Sequence, residues 1–436
     1  MPKIEKMSPR TDGFLNSSSL FFSLPILYFF FLGGYIFTWG FFGLGGALAL
    51  FIIWLVYLYK FFSNRNFFIS SDHLRIVLLL SSFFCILLYG VPYQVNIAYA
   101  LLCQILFVVL FIGLLFPVSS RSYLLLLIGL ASVFILTILS SPNPKIDTFD
   151  TLKLGGQELI QGKNPYASSY TKLYADKEPN YYAYPPATLL LTLPSVLFLR
   201  DPRYMLVFFL FGTAFFIGKI SNPDYRWQLP LLFLFNPMTA FIVEESYIEP
   251  MIIFLLTLSL YLLRTRKYAV SAIIIGLLLA AKQYSILFIP FIFRLSVLKN
   301  RLRLLIGSTI VAVVIISPFF LWNTKEFISD VLLFQAVYPA RYDGLTFFSL
   351  LYRIFHIPYA SLVSLFIIGI IFFMLIRKKT TSFSALVSCL FFFFFTFFYF
   401  NKWAFVNYYY FISSLLILVM AFKTSEKNIA HSSSEK

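Results

Sequence analysis

Apolar runs of membrane length recur along the chain. Residues 19–38, 41–59, 77–91, 98–116, 124–139, 304–321, 362–376 and 383–400 are nearly continuous stretches of hydrophobic side chains. Roughly 20 such residues carry an α-helix across the hydrocarbon core. No short segments alternate with the two-residue period of a transmembrane barrel, and a segment in lipid must satisfy its own backbone. The pattern therefore predicts an all-α fold, a polytopic bundle of about 12–14 transmembrane helices. In the middle of the chain the runs shorten. Residues 187–199 contain Pro194 and read as a segment that dips in without crossing, and 204–219 as a return. Two helical hairpins follow, 229–243 with 250–263 and 268–281 with 285–293. The run Phe391–Phe395 reads as lipid-facing filler.

Composition agrees with this pattern: 60% of the 436 residues are hydrophobic and 12% are charged, about half the charged share of a soluble domain. The net charge of +16 raises the question of nucleic acid. The distribution answers it, because no basic stripe is interleaved with exposed aromatics. The basic residues cluster between apolar runs instead: Arg264, Arg266 and Lys267, then Arg294, Lys299, Arg301 and Arg303, then Arg377, Lys378 and Lys379. Positive loops face the cytoplasm, so both termini are expected there, in a multi-pass protein of the cell (plasma or inner) membrane. Residues 1–19 form a cytoplasmic tail with Lys3, Lys6 and Arg10, residues 20–422 one polytopic domain, and residues 423–436 a hydrophilic, disordered cytoplasmic tail. The first run lacks a small-residue cleavage site and reads as a retained helix, not a signal peptide. Cys85, Cys103 and Cys389 all lie in apolar runs without disulfide or zinc spacing.

This orientation brings the chain out of the membrane at Ser141, into a first large extracytoplasmic loop of residues 141–186. Within 141–184, Lys145, Lys153, Lys163, Lys172 and Lys177 balance Asp147, Asp150, Glu158, Asp176 and Glu178. Residues 152–161 read as a short amphipathic helix stopped by Gly162, with Leu152, Leu159 and Ile160 toward the bilayer. Glu244, Glu245 and Glu249 fall at the outer tip of the first hairpin and Lys282 at that of the second; Arg341 and Lys402 lie in later outer loops. Ionisable groups near membrane depth are costly and mark function by default; the bland reading of each is an interfacial charge facing water. Asp147, held where Pro142 and Pro144 stop a helix, suits a general base acting on a hydroxyl. Lys282 has nothing acidic beside it in sequence and wants an anion, for which a lipid phosphate is the natural source; snorkelling to the interface is the alternative. Tyrosines of the outer loop, Tyr166 and Tyr184 with Asn164 nearby, offer an interfacial belt or a face for a sugar ring.

The run IDTFDTLKLGGQELIQGKNPY, followed by YYAYPPATLLLTLP, resembles the first outer loop of GT-C membrane glycosyltransferases, and most of all glycosyltransferase family 87. FNPMTAFIVEESYIEPMIIFLLTLSLYLL, GLLLAAKQYSILFIPF, ARYDGLTFFSLL and NKWAFVNYYYF follow in the family's order. Five apolar runs precede Asp147 here, where the family's simplest pattern has one. The resemblance implies a GT-C-like bundle that uses a polyprenyl-phosphate-linked sugar. Asp147 then matches the catalytic base, Glu244 and Glu245 a polar or acidic turn, and Lys282 the lysine near the donor phosphate, while Asp150 maps to no family position; beside the resemblance, Asp150, Glu244 and Glu245 are candidate acids or metal ligands, and Arg341 or Lys402 would join Lys282 at the phosphate. A glycan or lipid would be the acceptor. Mg or Mn at Asp147 with Glu244 or Glu245 is compatible with such chemistry and not required by it. The rival reading is a transporter or flippase for a lipid-linked or small polar solute, which broken helices at midplane would favour.

Overall fold

Proline, glycine and polar caps set the helix limits in the computed structural model, which describes residues 24–35, 38, 40–62, 71–90, 92–168, 170, 181–296, 298, 300–333, 337–378 and 380–434. The expected N-terminal tail lies outside them. The described residues are helical, with no strand. The helices before the outer loop are α1 (Leu24–Tyr35), α2 (Leu44–Phe62), α3 (Ser71–Leu88), α4 (Ile97–Leu115) and α5 (Ser120–Ser140). The loop carries α6 (Asp147–Ile160), and α7 (Pro186–Leu199), α8 (Arg203–Ile220), α9 (Gln228–Leu234) and α10 (Thr239–Glu244) follow. Next come α11 (Glu249–Arg264), α12 (Tyr268–Leu279), α13 (Phe288–Arg294), α14 (Arg301–Trp322) and the single turn α15 (Thr324–Phe327). The chain closes with α16 (Phe347–Phe355), α17 (Ser361–Arg377), α18 (Phe383–Tyr399) and α19 (Val406–Ser434). Among the described residues five helices are long and apolar enough to cross a membrane: α4, α5, α8, α14 and the Val406–Glu426 part of α19. This is the build of an integral membrane protein.

One of the segments read as a single crossing is broken, and the tip of the second hairpin is extended. Residues 229–243 divide into α9 and α10 at Asn236–Pro237, because proline has no N–H and turns the residue before it away from helix. The carbonyl of Phe235 released by the break accepts from Ser81 Oγ at 2.7 Å and Cys85 Sγ at 3.2 Å, and Asn236 Nδ2 donates to Ser413 Oγ at 2.7 Å. After α12 the backbone of Lys282 is extended and a 3-10 turn, Gln283–Leu287, precedes α13.

The hydrogen bonds between loops separate two ends of the bundle. At one end the Arg75 guanidinium donates to the Leu115 carbonyl at 2.8 Å, Tyr123 packs on Trp227, Arg264 donates to the Ile220 carbonyl at 2.9 Å, and Ser296 N–H donates to the Thr380 carbonyl at 2.9 Å. At the other end Val95 N–H meets the Ser140 carbonyl, Ala187 N–H the Ala280 carbonyl, and Arg341 N–H the Lys402 carbonyl. Arg203, the first residue of α8, also sits there, donating to the Ser141 carbonyl at 2.8 Å. α7 thus starts and finishes at the same end, as Pro194 led the sequence reading to expect.

α18 and α19 form the centre, and α4, α5 and α14 turn apolar side chains such as Leu101, Ile105, Leu125, Ile128, Ile310 and Val314 outward. Phe391–Phe395 is consequently not lipid-facing: all five rings are buried. Tyr57, Phe288 and Phe291 lie 4.7, 4.7 and 5.1 Å from Phe391, Phe394 and Phe393. Lipid offers no hydrophobic drive for helix association, so close packing carries it, and five consecutive rings need neighbours on every side of the helix. α19 continues helically to Ser434, into the segment expected to be a disordered tail.

Candidate functional site

α6 begins at Asp147 itself, earlier than the amphipathic pattern predicted, and its first turn carries Asp147 and Asp150, where the helix macrodipole favours negative charge. Asp147 Oδ1 accepts from the Thr148 backbone N–H at 2.8 Å, and the Thr148 hydroxyl donates to the Glu245 carbonyl, tying α6 to the α10–α11 turn. Behind this turn Arg203 is fully buried; it is held by Asp201 at 2.6 Å, bonded to the Ser141 carbonyl and stacked 4.8 Å from the Phe149 ring. A buried guanidinium satisfied from three sides fixes the chain's exit from α5, and with it the position of Asp147.

One cavity of about 180 Å³ opens at this end of the bundle. Asp147, Lys282 and Arg341 line it together, with Tyr184, Trp403 and Asn407 among its other walls. Asp147 meets solvent inside the cavity while the walls enclose it. That enclosure raises its pKa above the usual carboxylate value, opposed by the Thr148 N–H and by the charges of Arg341 and Lys282. Lys282 is only 8% exposed, and burial lowers its pKa, opposed by Glu249 and Asp147. It is not the unpaired lysine its sequence neighbours imply: Glu249 Oε1 lies 4.0 Å from its Nζ, and the Tyr184 ring centre 4.6 Å away. Arg341 pairs with Asp343 at 2.5 Å and lies 4.5 Å from the Phe405 ring centre.

The other expected site residues stand back from the cavity. Asp150 is half-buried and does not line it. The glutamates of the hairpin tip do not face water: Glu244, Glu245 and Glu249 are 0%, 3% and 0% exposed. The tip is folded under α6 and the α5 exit, and Glu244 accepts from the Ser141 hydroxyl and from Tyr93 N–H. Burial, with Glu244 and Asp147 adding to it, pushes the Glu245 carboxyl up to about 9, so at neutral pH it holds a proton. Among the described residues no group of three or more His, Cys, Asp or Glu side chains is placed to hold a metal. Lys402 Nζ donates to the Tyr338 carbonyl at 2.5 Å, bracing one of the residues that line the mouth. Asn164 caps a 3-10 turn through Tyr166 N–H, and the Tyr166 hydroxyl donates to the Tyr184 carbonyl at 2.8 Å. Both shape the loop that presents Tyr184. In α6 Leu152 is buried against the bundle, so the bilayer-facing stripe reduces to Ile160, with Leu159 partly covered.

Sequence reading did not single out Asn407, Gln283 or Arg203. Gln283 Nε2 donates to the Ala183 carbonyl at 2.6 Å and the Val331 carbonyl at 3.1 Å, joining three outer segments beside Lys282. Its place next to Lys282 was the available signal; for Arg203, at the start of an apolar run, the signal was a charge with no water to face. No family model, curated protein or solved structure matches the chain.

Proposed function

We propose that the protein is a GT-C-like integral membrane glycosyltransferase. In this reading it moves a hexose, mannose-like, from a polyprenyl-phosphate donor to a glycolipid or polysaccharide acceptor on the extracytoplasmic face, with inversion. The observation that carries this is the sharing of one cavity by Asp147, Lys282 and Arg341. Asp147 takes the proton of the acceptor hydroxyl, whose oxygen attacks the anomeric carbon as the bond from that carbon to the phosphate oxygen breaks. Lys282 and Arg341 receive the charge gathering on the departing phosphate. Charges already fixed where negative charge develops stabilise such a transition state without reorganising at the moment of reaction. The aromatic walls, with Tyr184 and Trp403, suit the faces of a sugar ring.

The break at Asn236–Pro237 also supports a second reading, transport of a lipid-linked or polar solute, because transporters build their sites from interrupted helices. One comparison separates the two. Purified wild type and Asp147→Asn are given radiolabelled polyprenyl-phosphate hexose and acceptor lipids. Loss of transfer by roughly 10²–10⁴-fold in Asp147→Asn, the usual worth of a general base, supports the enzyme. Solute movement across liposomes that survives Asp147→Asn, with no transfer by wild type, supports transport.

A further inference from the structure

Glu249 opens α11 at the cavity end, fully buried, with Pro250 next to it fixing the start of the helix. Its Oε1 accepts from Asn407 Nδ2 at 2.9 Å and stands 4.0 Å from Lys282 Nζ. That distance is within reach of charge attraction and too long for a hydrogen bond. No described residue accepts a hydrogen bond from Lys282 Nζ, so its N–H donors are compensated in charge and still available for hydrogen bonding. Asn407 lines the cavity from α19, so three separate elements meet at the Glu249–Lys282 pair: α11, α19 and the turn after α12.

We propose that Glu249, set by Asn407, is a positioning residue that keeps Lys282 charged and turned toward the cavity, making Lys282 the anion-receiving group of the site. That the anion is the donor phosphate rests on the function proposed above; the pairing itself does not. A closer contact would spend the lysine's donors on Glu249, and without Glu249 the buried ammonium would shed its proton and its attraction for an anion. The other ionisable groups around Lys282 are Asp147 from α6, Tyr184 before α7, Tyr284 in the 3-10 turn, and Tyr247, Arg341 and Tyr408 of the cavity wall. Of these only Asp147 shares the sign of Glu249, and it meets solvent.

The test is competitive labelling of Lys282 by an amine reagent across the alkaline pH range, read by peptide mass spectrometry on the full-length protein in nanodiscs. The midpoint of Lys282 reactivity is expected to fall by about one pH unit or more in Glu249→Gln, and to return toward wild type in Glu249→Asp. Equal midpoints for wild type and Glu249→Gln, or an Asp variant that matches Gln, overturn the proposal. If Glu249→Gln does not fold, the double variant Glu249→Gln/Lys282→Met decides: removing both charges of a true pair restores folding, and failure to restore it counts against the pair. Binding of polyprenyl-phosphate hexose by wild type is measured beside it. A shifted midpoint with no donor binding keeps the pairing and discards the glycosyltransferase reading.

Discussion

A group that must accept a proton works best when its own affinity for that proton lies close to the ambient pH. Asp147 is pushed in that direction by enclosure and held back by Arg341 and Lys282. Transfer is therefore expected to fall as pH drops through the raised pKa of Asp147, because only the ionised carboxylate is a base. Arg341 lowers that pKa, so Arg341→Ala should raise it and move the acid limb of the kcat profile to higher pH; an unmoved limb would dissociate Arg341 from the base. Lys282→Ala is expected to lower kcat/KM for the donor by roughly 10²–10³-fold, the usual loss when one electrostatic stabiliser is removed, measured on the fraction that elutes from detergent as folded protein. At this scale the sequence was informative about charge and silent about contact. Asp147, Lys282 and Arg341 are legible because ionised groups beside long apolar runs need a reason. Glu249 and Lys282 belong to different helical hairpins, and nothing local shows that folding brings them to 4.0 Å.

Between helices, small residues decide how closely the site's walls approach. A Cβ on Gly155 of α6 would stand 2.7 Å from the Tyr182 ring, and one on Gly156 would stand 3.0 Å from Val196 of α7. Tyr182 is fully buried and packs edge-on against both Tyr166 and Tyr184, so it cannot yield without moving the ring under Lys282. Gly155→Val is expected to destabilise the loop by about 1–3 kcal/mol through overpacking, read as a lower melting temperature in detergent with a larger loss of donor binding than of total helicity. Wild-type donor binding in Gly155→Val would show that the loop does not set the cavity wall. The long runs were legible because length and hydropathy alone define a crossing. The break was harder to see: Asn236–Pro237 sits in a mostly apolar run, and the partners Ser81, Cys85 and Ser413, from distant helices, make the interruption tolerable. The Phe391–Phe395 run misled because hydropathy scores lipid and protein interior alike, and which one a helix face meets depends on the order of helices around the centre.

Across the whole molecule, the cavity and the basic clusters belong to opposite ends. Arg264 binds the end of α8 and lies 6.0 Å from the Phe422 ring of α19, and Leu295 and Ser296 meet Thr380 at the same end. Asp147, Lys282, Arg341 and Asn407 gather at the other. An excess of Lys and Arg selects the cytoplasmic side during insertion, so the same charges that orient the chain would carry the cavity to the outside, where a lipid-linked donor needs no cytosolic nucleotide-sugar domain. Impermeant maleimide tests this directly. Cys85, Cys103 and Cys389 are buried and are replaced first, and single cysteines are then placed at Lys145, on the cavity end, and at Arg266, on the basic end; both positions are exposed. In intact cells the Lys145→Cys protein should label and the Arg266→Cys protein should label only after the membrane is opened. Labelling of both from outside would mean that the two ends share one side of the bilayer, and the reversed pattern would put the cavity in the cytoplasm, where a donor carried on the outer leaflet could not reach Lys282.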